Sequence, residues 1–202
     1  MTKKFLYLKY MNIPNVLTES SVAIGFITLI LMLNHEFKIA MSLYSLTILL
    51  DRIDGLAARK FRMESAFGKE LDSLADFFNF CILPSIIAYL MGFNSILSVI
   101  ILIIYILSGV SRLAHFNLTG MNEISGKQYF SGLPTTVSAS WFLIVVSLNK
   151  IIIKLDFYFV LLSFFVVFSI LMVSPLKFNK NGLIIKVLYI LIPVAVIILW
   201  IF

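Results

Sequence analysis

The chain has 202 residues, of which 61% are hydrophobic and 13% charged, with a mean hydropathy of +1.05. That composition excludes an ordinary water-soluble fold. The net charge of +6 is gathered in a few short connections between apolar runs, which reads as membrane orientation rather than nucleic-acid binding.

Several runs reach roughly 17–25 residues, the length that crosses a bilayer as a helix. They are continuous and do not alternate, which argues against a β-barrel. The expected fold is a single all-α domain over residues 1–202, a polytopic membrane bundle. Residues 1–12 place Lys3, Lys4 and Lys9 among Phe5, Leu6, Tyr7, Leu8 and Tyr10, the pattern of a short interfacial helix on an anionic leaflet. No cleavable signal-peptide pattern precedes the first apolar run, so that run is expected to persist as a span.

Pro14 and Asn15 open the first span, at 15–34, and Asn34, His35 and Glu36 mark its far end. The second covers 37–60 and closes in the basic cluster Arg59, Lys60 and Arg62. The third, 66–92, begins polar and turns apolar after Asp76; the fourth covers 94–117. A polar loop from Leu118 to Tyr129 precedes span five at 131–148, span six at 156–174 and a C-terminal seventh at 183–202. Cys81, the single cysteine, lies in an apolar run and allows no intrachain disulfide.

With the amino terminus in the cytoplasm, Lys60, Arg62, Lys69, Lys127, Lys177 and Lys180 fall on the inner side. The outer connections hold Lys38, Lys150 and Lys154. The positive excess is then inside, as the charge rule expects.

The chain has five aspartates, and four of them, Asp51, Asp54, Asp72 and Asp76, end two strongly apolar segments. A lone ionised carboxylate is costly there, and such a concentration of hard oxygen donors calls for divalent cations, Mg²⁺ or Mn²⁺. On a helix Asp51, Asp54, Gly55, Ala58 and Arg59 share one face, while Gly68, Asp72 and Asp76 repeat every fourth residue on the next segment. The short connection predicts antiparallel neighbouring helices, whose four acids converge on one site able to hold two metal ions about 3.5–4 Å apart.

Gly55, Ala57, Ala58, Ser65, Ala66 and Gly68 leave room beside the acids for a diphosphate, or else let helices approach closely. The plain alternative for the acids, pairing with Arg52, Arg59 and Lys69, leaves one carboxylate unmatched.

These residues match D-x2-D-G-x2-A-R-x8-G-x3-D-x3-D, and the chain therefore resembles the CDP-alcohol phosphatidyltransferases. The resemblance implies a helical membrane enzyme that displaces CMP from a CDP-linked lipid by an alcohol, with divalent metals. It implies that Asp51, Asp54 and Asp72 ligate metal around the diphosphate and that Asp76 contacts the second metal and acts as base. Asn15, Thr18, Gly55, Ala58, Arg59 and Gly68 would belong to the CDP-lipid site; Pro14-Asn15-Val16-Leu17-Thr18 is similar to the family's P-N-x-x-T opening.

Ser111-Arg112-Leu113-Ala114-His115-Phe116-Asn117 and Tyr129-Phe130-Ser131-Gly132-Leu133-Pro134 resemble the R-L-A-R-F-N and F-x-G-L-P segments of the phosphatidylserine synthase branch. Together with the early motif, the resemblance runs from about residue 13 to 135. It implies an L-serine acceptor met by Arg112, His115, Asn117 and Lys127, with Arg112 and Lys127 offering cations to the carboxylate. His115 departs from the branch pattern, which commonly has Arg there. Interfacial capping is the plain alternative for His115 and Asn117, and a helix-end role the one for Arg112. A homodimer is a further implication, while the charge count places the four aspartates, and with them the expected active site, near the cytoplasmic face of the cell membrane. Two other readings stay open: the same chemistry with glycerol 3-phosphate or inositol phosphate, and a cation channel or transporter lined by acids.

Overall fold

The computed structural model describes residues 10–124, 127–149, 156–179 and 182–201. The helices are α1 (Ile13–Leu33), α2 (Phe37–Lys60), α3 (Ala66–Asp76), α4 (Leu83–Leu90), α5 (Ile96–Thr119), α6 (Thr135–Asn149), α7 (Phe157–Val173) and α8 (Leu183–Ile201). A π-helical segment, Phe77–Ile82, joins α3 to α4, so the two form one rod of 25 residues. Among the described residues the helical rods coincide with the seven expected spans.

Three rods are both long and apolar enough to cross a membrane, namely Ile13–Leu33, Ala66–Leu90 and Ile96–Thr119; α6, α7 and part of α8 are shorter apolar helices. The α2 helix has 24 residues but carries Asp51, Arg52, Asp54, Arg59 and Lys60 in its second half. The fold is that of an all-α membrane protein. Residues 1–9, most of the expected interfacial helix, lie outside the described residues, as do Lys150, Lys154 and Lys180.

Local chemistry sets the ends of the rods. Asn12 caps α1 by accepting from the Asn15 amide at 2.9 Å, with Pro14 in the first turn. Ser65 caps α3 by accepting from the Gly68 amide at 3.0 Å. Serine and threonine hydroxyls inside the helices mostly donate back to their own helix, as from Thr47 to Tyr44 O at 2.7 Å and from Ser169 to Phe165 O at 2.6 Å. Such bonds satisfy polar groups where no water reaches them.

The α1 helix packs along most of α2, α5 along α7 and α6 along α8. The core is aromatic: Tyr44, Tyr105, Phe142 and Phe165 are fully buried, and the Tyr105 and Phe165 rings meet edge to face at 4.9 Å. Exposed Ile96, Ile103, Leu107, Ile190 and Ile197 line the outer faces of α5 and α8, where a bilayer, not water, is the fitting solvent. The π segment frees carbonyl groups from the regular ladder. Tyr105 answers one of them, donating to Phe80 O at 3.0 Å, and its oxygen lies 2.9 Å from Ser138 Oγ.

One feature differs from the expected architecture. The polar loop after α5 is a hairpin of β1 (Asn122–Ile124) and β2 (Lys127–Ser131), and β3 (Lys177–Asn179) adds to it in an antiparallel sheet ordered β1-β2-β3. Register places Phe130 opposite Phe178 and Tyr129 opposite Asn179. Span five starts four residues later than expected, at Thr135, because Gly132 turns the chain with φ +74°. There the Gly132 amide donates to Leu176 O at 2.9 Å and the Leu133 amide to Leu171 O at 3.0 Å.

Candidate active site

The acidic ends of α2 and α3 face one another across a gap. As neighbours whose acids converge, α2 and α3 bring Asp51, Asp72 and Asp76 together, yet they scarcely touch along their backbones, and α1 packs against both. The reason is a cavity of about 500 Å³ between them, lined from α1 by Asn15 and Thr18, from α2 by Asp54, Gly55, Ala58 and Arg59, and from α3 by Gly68 and Asp72. All six residues expected at a CDP-lipid site therefore border one space.

The small residues divide into two kinds. A Cβ on Gly55 would meet only the Arg59 guanidinium, at 3.5 and 3.9 Å, which is ordinary contact. No neighbouring helix presses on Gly55, so it keeps space open. A Cβ on Gly68 would lie 3.0 Å from Asn15 Oδ1 and 3.2 Å from Ser65 Oγ, so Gly68 serves close approach of α1. Asn15 Nδ2 donates to Tyr10 O at 2.8 Å, and the Tyr10 ring stacks on Phe67 at 4.2 Å. The entrance to α1 is thus bound to the start of α3.

Three of the four acids form a tight group. Asp51, Asp72 and Asp76 each offer an oxygen within 4.8 Å of the others. Unit charges at that distance repel by about 3.5 kcal/mol per pair at an effective dielectric near 20. Asp76 is 9% exposed; its Oδ2 accepts from Thr135 Oγ1 at 3.3 Å, while its Oδ1 is buried with no hydrogen-bond partner among the described residues. An orphaned carboxylate oxygen within a triad of hard donors fits a divalent cation. Asp54 stands apart from the triad. It is 3% exposed, and its Oδ2 accepts from Thr18 Oγ1 at 2.6 Å. Two of the nearby bases are engaged elsewhere: the Arg52 guanidinium lies 3.8 Å over the Tyr189 ring, and Lys69 Nζ donates to Asn117 O at 2.8 Å.

A second cavity of about 310 Å³ adjoins the first, and Gly55, Arg59 and Asp72 line both. Its other walls include Asp51 and Asp76, Arg112 from α5, Phe130 from β2, Pro134 before α6, and Tyr189 from α8. Arg112 is 6% exposed, and its Nε finds no partner among the described residues.

Of the expected acceptor residues whose side chains are described, Arg112, His115 and Asn117, Arg112 alone lines this cavity. His115 is exposed on α5 and borders neither space. Asn117 ties α5 to α3, accepting from Ser73 Oγ at 3.0 Å and donating to Glu70 Oε2 at 3.3 Å. Lys127 belongs to β2; its side chain lies outside the described residues. Sequence reasoning gave no site role to Phe130, Thr135 or Tyr189, and to Arg52 only that of a pairing base. Thr135 directly follows the Gly132-Leu133-Pro134 segment and could have been found there, whereas nothing in the apolar run of α8 marks Tyr189.

Known proteins resemble this chain over most of its length. The chain is 31% identical over 174 residues to a CDP-diacylglycerol–serine O-phosphatidyltransferase of Helicobacter pylori, covering 82% of this chain and 70% of the relative. It is 29% identical over 177 residues to the archaetidylserine synthase of Methanothermobacter thermautotrophicus, covering 85% and 71%. A Saccharomyces cerevisiae CDP-diacylglycerol–serine O-phosphatidyltransferase is 43% identical over 89 residues, 42% of this chain and 32% of the relative. The description of one family, CDP-alcohol phosphatidyltransferase, matches residues 11–201, and the chain belongs to that family.

Proposed function

We propose that this enzyme transfers the phosphatidyl group of a CDP-linked lipid to the hydroxyl of L-serine, giving phosphatidylserine and CMP; with an ether-linked donor the product is archaetidylserine. The observation that carries the reading is the pair of cavities sharing Gly55, Arg59 and Asp72. One has a wall of small residues beside acids and Arg59, suited to a nucleotide diphosphate. The other holds the buried Arg112 and Asp76, suited to a small zwitterion that must lose a hydroxyl proton. The names of the relatives point the same way.

In this reading Gly55 and Ala58 lie against the nucleotide, and Arg59 bears on its phosphates. Arg112 grips the serine carboxylate, a planar fork on a planar anion. Asp76, at the wall of the second cavity, accepts the serine hydroxyl proton. The serine oxygen forms its bond to the lipid-bearing phosphorus as the bond to the CMP oxygen breaks, and CMP leaves as an anion. Asp51, Asp72 and Asp76 would hold one divalent ion, with Asp54 and Asp72 beside a second. Mg²⁺ or Mn²⁺ there supplies neutralisation of the diphosphate and polarisation of its phosphorus. The active site lies near the cytoplasmic face, lipid tails enter from the bilayer, and the enzyme works as a homodimer.

Purified protein given CDP-lipid, Mn²⁺ and a panel of alcohols is expected to release CMP with serine. If glycerol 3-phosphate reacts and serine does not, the acceptor assignment is wrong. Ion flux without CMP release would instead favour a channel. Of the three arginines lining the acceptor cavity, Arg52 is engaged by Tyr189 and Arg59 also borders the first space. That leaves Arg112 as the dedicated cation, which suits a carboxylate better than a phosphate dianion.

A further inference from the structure

Among the described residues no carboxylate pairs with Arg112, and two aromatic rings flank it. Its guanidinium carbon lies 5.3 Å from the Phe116 ring centroid and 5.8 Å from that of Phe130. The two rings are themselves 5.7 Å apart and inclined at 51°. Phe116 follows Arg112 by one helical turn on α5, so their side chains share a face. Phe130 comes from β2, where pairing with β3 fixes its place opposite Phe178. The sheet has no obvious purpose in an otherwise helical bundle, but it delivers this ring to the wall of the second cavity.

We propose that Phe116 and Phe130 are positioning residues that clamp the Arg112 guanidinium toward the acceptor cavity, and that this clamp selects acceptors bearing a carboxylate over amino alcohols that lack one. The inference rests on serine being the acceptor. The physical argument is one of competition. A buried guanidinium beside Asp51, Asp72 and Asp76 is drawn toward those acids, and a full pairing with them would remove it from the acceptor. Ring quadrupoles stabilise the cation without consuming its N–H donors. The guanidinium therefore stays at the wall of the second cavity, where an incoming planar anion can meet it. An amino alcohol such as ethanolamine leaves that guanidinium unmet, the situation in which a site discriminates most strongly.

The test is kinetic, on the intact protein in lipid vesicles. Phe130→Leu keeps bulk and removes the quadrupole. It is expected to raise the serine KM roughly fivefold to thirtyfold, to leave the KM for CDP-lipid unchanged, and to lower the ratio of serine to ethanolamine turnover by a similar factor. Phe130→Tyr restores the ring and should restore the serine KM. In an Arg112→Lys background, Phe130→Leu should add little. Phe116→Leu carries the same expectations and serves if Phe130→Leu does not fold. An equal rise in both KM values, an unchanged serine KM, or no rescue by tyrosine would each overturn the clamp. A wild-type protein that rejects serine and uses another alcohol would instead bring down the acceptor assignment before any variant is made.

Discussion

Gly55 is the position at which the cavity reading can be separated most cleanly from a packing reading. It lies within α2, and a methyl group there meets only the tip of Arg59 at 3.5 Å. In the empty protein Gly55→Ala should therefore be tolerated or even stabilising, since replacing a mid-helix glycine by alanine gains about 0.5–1 kcal/mol. The same methyl projects into the space shared by both cavities. If a diphosphate rests against Gly55, the extra volume should cost about 1–3 kcal/mol of binding, roughly fivefold to 150-fold in the KM for CDP-lipid. Gly68→Ala is the control. Its Cβ would crowd Asn15 Oδ1 at 3.0 Å, so its first effect should be lost thermal stability. Thermal unfolding of the purified variants, paired with CMP-release kinetics, gives both quantities. The reasoning fails if Gly55→Ala destabilises the protein, or if it stays stable and binds CDP-lipid as well as before.

Asp76→Asn removes the proposed proton acceptor and should cut turnover by at least about 10²–10⁴-fold while largely sparing nucleotide binding, measured by CDP-lipid protection against unfolding. Thr135→Val deletes the hydroxyl that donates to Asp76 Oδ2 at 3.3 Å. A hydrogen bond to a charged group is worth about 1.5–3 kcal/mol; kcat should fall roughly tenfold or more with the serine KM little changed. Thr18→Val strips Asp54 of its 2.6 Å donor and should weaken CDP-lipid binding before it affects the serine KM. Chelation should abolish CMP release, and adding back Mn²⁺ should raise the thermal midpoint of the wild type; that rise should shrink in Asp51→Asn, a readout independent of activity.

The rods were legible because a run of apolar residues long enough to cross a bilayer has few alternative uses, and polar connections bound each one. Even Thr119, two residues past the expected end of span four, shifts nothing that matters. What pattern could not supply was three-dimensional spacing. Helical periodicity puts Asp51 and Asp54 on one face, but it does not say that Asp54 turns to Thr18 on α1 while Asp51 joins Asp72 and Asp76. It does not say that α2 and α3 stand apart, since glycine and alanine signal close packing and open space equally well. The sheet escaped for another reason. Its β2 and β3 strands come from separate stretches of chain and have five and three residues, too few for an alternating signature. Phe178 reads as an ordinary hydrophobic residue, and Phe130 as part of the F-x-G-L-P segment, with no sign that the two are paired.

The last third of the chain carries no motif, and hydropathy assigns it to span alone, yet the acceptor cavity depends on it. The turn at Gly132, tied to Leu171 and Leu176 by backbone hydrogen bonds, brings Pro134 to the cavity wall and Thr135 to Asp76. Met172 lies so close to Gly132 that a side chain there would strike its carbonyl. The α8 helix sends Tyr189 beneath Arg52, holding that cation beside, rather than within, the group of acids. The first cavity is thus lined from α1, α2 and α3, where the motif resides, whereas the second, the proposed acceptor site, also draws on α5, β2, the α6 entrance and α8. Substitutions of cavity-lining residues on α5, β2 and α8 should alter which alcohol reacts and how tightly it binds, and leave recognition of the CDP-lipid intact.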